Sequence, residues 1–126
     1  MNWNWRHYLT LAEKLSQEED EACQRSAVSR AYYALYNQAK EWFMSDASRR
    51  QLGLKNDERG HEKLWVEISR LGVEAKLIAN NGQMLRMQRN KCDYDKTTGL
   101  NLREISPRSV TLAKNSIERL KNIDSQ

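Results

Sequence analysis

Apolar residues along this chain recur at steps of three and four, the spacing of one face of an α-helix. Trp5, Tyr8, Leu9, Ala12 and Leu15 form the first such stripe. The acidic run Glu18-Glu19-Asp20-Glu21 follows, and carboxylates in a first helical turn meet the positive end of the helix dipole. Ser16 stands just ahead of them as a candidate cap, so the pattern predicts a turn near Ser16 and Gln17 and a second helix from Glu18. In that helix Cys23, Ala27, Val28, Ala31, Tyr32, Leu35, Ala39, Trp42 and Phe43 keep the period, and neither Gly nor Pro interrupts it before Met44. Its length suits the spine of a bundle. Ala27, Ala31 and Ala34 are small enough to let a neighbouring backbone approach closely.

Ser45 to Gly60 is polar, carries Gly53, Asn56, Asp57 and Gly60, and predicts a loop. His61, Leu64, Trp65, Ile68 and Leu71 then mark a short amphipathic helix ended by Gly72. From Val73, apolar residues return at Leu77, Ile78, Met84 and Leu85. One helix to about Lys91 fits them, because the Gly82 inside it costs only about 1 kcal/mol. Asp93 to Ile105 lacks a helical period and predicts a loop. Ser106-Pro107 marks a helix start: Ser caps, and the missing N–H of Pro is harmless at the first helical position. Val110, Ala113, Ile117 and Leu120 give that last helix its seam. No stretch alternates with period two for long enough to make a strand. The prediction is a single domain over residues 1–126, an all-α up-and-down bundle of four to five helices.

Composition narrows the function classes. At 126 residues the chain can bury a core and has no room for a second module. No apolar run approaches the roughly 20 residues of a membrane span, and the first residues do not pattern as a secretory signal. Lys and Arg number 21 against 17 Asp and Glu, a formal net charge of +4, which allows an anionic partner without demanding one. Cys23 and Cys92 lie far apart and away from His7 and His61 in sequence, so no metal-ligand cluster is legible and reduced thiols in a cytoplasmic protein are expected. No phosphate-binding glycine loop, dinucleotide fingerprint or hydrolase motif occurs, so no cofactor is expected.

Two constellations carry candidate chemistry. Ser26, Ser29, Arg30, Tyr33 and Asn37 share one side of the second helix, a face of hydroxyls, amide and guanidinium where a solvated face would mix Glu and Lys. Such groups hydrogen-bond phosphates or bases, and they serve equally as an internal network that orients helices. The second is Arg86-Met87-Gln88-Arg89-Asn90-Lys91-Cys92-Asp93-Tyr94-Asp95. Arg86 and Arg89 share a face one turn apart, and a guanidinium beside an amide suits a phosphodiester. The structural alternative is that Arg89 pairs with Asp93 or Asp95 and pins the following loop. His61, among Leu64, Trp65 and Ile68, fits a structural role better than a catalytic one, and His7 a surface position. Trp3, Trp5, Tyr8, Tyr32, Tyr33, Tyr36, Trp42 and Phe43 crowd the N-terminal third, at spacings that suit core or interface more than base stacking.

Taken in order, Ser29-Arg30-Ala31-Tyr32-Tyr33-Ala34-Leu35-Tyr36, His61 and Arg89-Asn90-Lys91-Cys92-Asp93-Tyr94-Asp95 resemble the HEPN superfamily, whose small members carry S-R-x-Y-Y-A and R-N-x-x-D-Y-D segments. The resemblance runs from about Arg25 to the last helix. It implies a helical bundle, often a homodimer, with links to RNA cleavage, to toxin–antitoxin pairs with nucleotidyltransferases and to phage defence. It also implies a site in which Arg89, Asn90 and Tyr94 stand at the catalytic positions and Arg30, Tyr33, Asn37, Arg86 and Arg89 bind RNA or a nucleotide.

Family ribonucleases place a histidine four to six positions after the arginine. Here Tyr94 stands five after Arg89 and Asp95 follows it. Histidine suits metal-free RNA cleavage because its pKa lies near neutrality, whereas a tyrosine of pKa near 10 is a poor base at pH 7. The resemblance with this departure implies an RNA- or nucleotide-binding protein of weak or absent nuclease activity. The alternatives are a metal-independent endoribonuclease toxin with a composite dimeric site, using Tyr94 or His61, and a helical module that binds another protein.

Overall fold

The computed structural model describes residues 3–124 as five α-helices and one 3-10 turn, with no strand among the described residues. Helix α1 spans Arg6–Ser16 and α2 spans Glu21–Met44; the 3-10 turn covers Ala47–Leu52. Helices α3, α4 and α5 span Glu58–Ser69, Val73–Tyr94 and Leu102–Asp124. The all-α bundle expected from periodicity is the architecture observed.

Helix α2 is the spine and touches all four other helices. Ala27, Ala31 and Ala34 are fully buried, so α1, α4 and α5 pack close to its backbone. Around it Leu9 and Ala12 of α1, Leu64, Trp65 and Ile68 of α3, Ile78 and Leu85 of α4, and Val110, Ala113, Ile117 and Leu120 of α5 close one continuous core. A smaller cluster of Val28, Cys92 and Leu102 ties the end of α4 to the start of α5.

Four predicted boundaries move, each for a local reason. The cap of α2 is Asp20, not Ser16: the Asp20 carboxylate accepts the N–H of Ala22 at 2.7 Å, while Ser16 closes α1 by donating to the carbonyl of Glu13 at 2.8 Å. The polar stretch after Met44 is partly ordered. Asp46 caps the 3-10 turn through the N–H of Ser48, and Asp57 caps α3 through the N–H of Gly60, so α3 begins at Glu58.

The third change is larger. Helix α5 starts at Leu102, where the carbonyl of Asn101 accepts the N–H groups of Glu104 and Ile105 at 3.1 and 2.8 Å. Buried Leu102 anchors this extra turn against Val28 and Cys92. Pro107 therefore lies inside the helix, where it forgoes the bond to the Arg103 carbonyl. Helix α4 likewise runs on to Tyr94, which shortens the predicted loop to residues 95–101.

Asn81-Gly82 does not break α4, and the reason is steric. A Cβ at Gly82 would stand 2.6 Å from three carbons of the Trp65 ring, so only glycine lets α3 and α4 close. In a free helix Gly→Ala gains about 1 kcal/mol. Here Gly82→Ala is expected to lose about 1–3 kcal/mol of unfolding free energy in urea titrations, because overpacking outweighs propensity; a gain in stability would show that Trp65 yields freely.

Candidate functional site

The second sequence constellation lies on α4, whose turns carry Arg86, Arg89 and Asp93 past Tyr33 of α2 and the first turn of α3. Arg89 is only 1 % exposed, the second-largest side chain fully enclosed by the fold. A guanidinium out of water must have partners around it. One terminal nitrogen donates to Glu58 Oε1 at 3.2 Å and to the side-chain oxygen of Asn90; the other donates to the Tyr33 hydroxyl. Nε lies 3.5 Å from Asp93 Oδ2 but makes no hydrogen bond of its own. The rings of Tyr33, Tyr32 and Tyr94 sit 4.9, 5.4 and 5.8 Å from the guanidinium carbon and add cation–π attraction.

Glu58 joins this buried charge to the surface. Its side chain is 51 % exposed, and its carboxylate bridges both arginines: Oε2 accepts from Arg86 at 2.8 and 3.2 Å while Oε1 accepts from Arg89. Hydrogen bonds from Arg86, then from Arg89, hold its carboxyl below the usual range. The Arg86 guanidinium also reaches the Glu58 carbonyl at 3.1 Å and Gln83 at 3.3 Å. The close fold of the chain before α3 sets the carboxylate here, because a Cβ at Gly60 would overlap the Lys55 carbonyl. Beside Glu58 opens a groove of about 450 Å³ lined by Met87, Asn90, Lys91, Tyr94 and Asp95.

The structure therefore brings together Tyr33, Arg86, Arg89, Asn90 and Tyr94, and leaves Arg30 and Asn37 apart. The Arg30 guanidinium stacks 4.9 Å over Tyr8 of α1, and Asn37 donates back to the Tyr33 carbonyl within its own helix. Ser29 binds Asp93 at 3.1 Å, and Ser26 is exposed. Of the two carboxylates in the structural alternative, Asp93 or Asp95, Arg89 pairs with Asp93. The loop after α4, however, is held by Arg25, which donates to the carbonyls of Cys92, Asp95 and Lys96 at 3.1, 2.6 and 2.8 Å.

Glu58 and Arg25 were missed from sequence. Glu58 lies in the stretch predicted to be a loop, although Asp57 directly before it, ahead of the stripe from His61, is a helix-start signal that sets Glu58 in a first turn. Arg25 offered no signal, since its acceptors are backbone carbonyls.

His61 lies close behind the arginines, in a packed aromatic group. Its ring stacks on Tyr36 at 3.9 Å, and Nδ1 lies 2.5 Å from the Tyr32 hydroxyl, which accepts from Trp65 Nε1 at 3.3 Å. The Tyr32 hydroxyl thus joins the His61 ring and the Trp65 indole in one buried hydrogen-bonded chain. Burial pushes His61 down to about 4 and raises Tyr32 above the ordinary tyrosine range. The same effect raises the Cys92 thiol to about 11. Among the described residues no His, Cys, Asp and Glu group could hold a metal ion, and no helix is long and apolar enough to cross a membrane.

A scan against protein-family models, a search of curated proteins and a search of solved structures each find no match.

Two stability outcomes follow from this geometry. Arg89→Ala strands Glu58, Asp93 and the Tyr33 hydroxyl and is expected to cost about 3–5 kcal/mol. Arg86→Ala, at a wetter pair, is expected to cost about 1 kcal/mol; equal losses in denaturant titrations would contradict the buried hub. His61 stays neutral in the fold down to about pH 4 while the unfolded chain takes up its proton near 6.5. Stability is thus intact above pH 6.5 and falls between 6.5 and 4. His61→Gln is expected to flatten that slope in melts at stepped pH; an unchanged slope would assign it to other groups.

Proposed function

We propose that this bundle binds RNA or a nucleotide through its phosphates at the rim formed by Arg86, Asn90, Lys91 and Tyr94, with weak or no nuclease activity. The observation that carries the reading is the single carboxylate of Glu58 spanning two guanidiniums at the mouth of an open groove. The Arg86 guanidinium, the more open of the two, presents the paired donors that a phosphodiester takes up in bidentate fashion. A phosphate arriving at the groove competes with Glu58 for Arg86, whose guanidinium lies at the surface end of the pair. Arg89, closed behind it, acts as a positioning residue that fixes Tyr33, Asn90 and Asp93. Lys91 and the Tyr94 ring, 73 % exposed, offer a second charge and a stacking face.

The weak-catalysis part rests on the proton chemistry on hand. The motif histidine position is Tyr94, and His61 is buried, neutral and committed to Tyr32. Neither is set to take a ribose 2′ proton at neutral pH. The metal-independent endoribonuclease toxin remains the competing enzymatic reading, and the helical protein-binding module the other. From the HEPN resemblance we infer a role beside toxin–antitoxin or phage-defence systems in the cytoplasm, with a nucleotidyltransferase or defence protein as partner and self-association as a homodimer.

The test is fluorescence-anisotropy titration of a single-stranded RNA at two salt concentrations. Affinity is expected to fall steeply as salt rises, because phosphate neutralisation releases counterions. Arg86→Ala and Lys91→Ala are expected to weaken it several-fold, and Glu58→Gln to tighten it by removing the competing carboxylate. Undetectable or salt-independent binding would end the nucleic-acid reading. Robust metal-free cleavage of mixed RNA, abolished in Arg89→Ala protein of native fold, would overturn the non-catalytic part.

A further inference from the structure

The groove beside Glu58 holds both signs of charge, and they do not cancel. Lys91 and Asp95 stand four residues apart and both line it, yet among the described residues no ion pair joins them and no group donates to the Asp95 carboxylate. Glu58, the other carboxylate there, has both oxygens taken by arginines. Asp95 is fixed nonetheless: its N–H donates to the Lys91 carbonyl at 3.0 Å, and its own carbonyl accepts from Arg25 at 2.6 Å. A free carboxylate is thus presented by a held backbone, next in sequence to the exposed Tyr94 ring. Asn90 gives its side-chain oxygen to Arg89 and keeps its amide NH2 to donate. A second hollow of about 540 Å³, lined by Gln83, Met84 and Arg86, shares Met87 and Asn90 with the groove. The two form one trough along α4, in which Arg86 and Asp95 are nine residues, about 13 Å, apart on the helix axis.

We infer that this trough reads guanine: an unpaired guanine stacks on Tyr94 with its Watson–Crick edge on Asp95, while Arg86 and Lys91 hold phosphate. The inference rests on the phosphate-binding reading above and names the base selected there. Edge chemistry decides among the bases, because a carboxylate only accepts. Guanine sets two donors side by side, N1–H and the N2 amino group, which match the two carboxylate oxygens. Adenine and cytosine each set one amino donor beside a ring-nitrogen acceptor that the carboxylate repels. Uracil flanks its single N–H with two carbonyls. The free NH2 of Asn90 suits O6 of the same guanine. Only a base outside a duplex offers this edge together with a face for stacking.

The test titrates labelled single-stranded RNAs of equal length, uridine tracts carrying one central guanosine, adenosine or inosine. The guanosine RNA is expected to bind roughly ten-fold tighter than the adenosine RNA, with inosine, which lacks the N2 amino group, between them. Asp95→Asn is expected to erase that difference with an unchanged melting curve, because the bonds that fix residue 95 are main-chain. A 2′-deoxyguanosine at the central position is expected to keep the preference. Displacement of the guanosine RNA by GMP where AMP fails would add the free nucleotide to the ligands; without it the ligand is guanosine within RNA. Salt-dependent binding that is equal for guanosine and adenosine, or a preference that survives Asp95→Asn, would overturn the guanine inference and leave the phosphate reading standing. A preference lost with the 2′-hydroxyl would overturn it by assigning Asp95 to the ribose. No RNA binding at all would overturn both, as would an arginine peptide held through Asp95 in place of RNA.

Discussion

One enclosed guanidinium organises the polar half of this protein. Arg89 sits where α2, α3 and α4 meet, and a charge in that place is tolerable only while oxygen atoms surround it. Each partner comes from a different part of the chain: Tyr33 from the spine, Glu58 from the first turn of α3, Asn90 and Asp93 from α4 itself. The apolar core sets how close the helices come. The demand for these partners sets which turn of α3 and α4 faces α2.

The same demand explains why Glu58 is poised between structure and exchange. Arg89 uses only one of its oxygens, and the other meets Arg86 near solvent. The inner contact steadies the fold while the outer one is open to competition. His61, Tyr32 and Trp65 back this arrangement with a dry hydrogen-bonded chain that keeps the imidazole neutral beside two cations.

Much of the fold was legible because helical periodicity reports burial directly. The stripe from Cys23 to Phe43 and the seam from Val110 to Leu120 needed no knowledge of partners. Boundaries were less legible, since they depend on which of several capping residues wins. Asp20 outcompeted Ser16, and Leu102 found a hydrophobic anchor that made the Ser106-Pro107 signal irrelevant. In the site, Asp93 was one of the two carboxylates, with Asp95, that the sequence offered as partners of Arg89, and the structure pairs it with Asp93. The joining of Tyr33 to Arg89 spans 56 residues, and Glu58 reaches Arg89 across 31, distances no local pattern encodes. The shared face assigned to Arg30 and Tyr33 divided because Arg30 stacks on Tyr8 of α1 while Tyr33 turns to Arg89 of α4, partners no local pattern encodes.

The grip of Arg25 on the segment after α4 has a consequence for how this surface can change. Across from its own helix it takes hold of three main-chain oxygens, those of Cys92 at the end of α4 and of Asp95 and Lys96 beyond it, while its Nε pairs with Glu21 at 3.8 Å. The path of residues 95 and 96 is therefore held whatever residues occupy it, while the side chains of Asp95 and Lys96 stay exposed, that of Asp95 on the groove. Substitutions there can recast what the rim recognises without loosening the backbone that presents it.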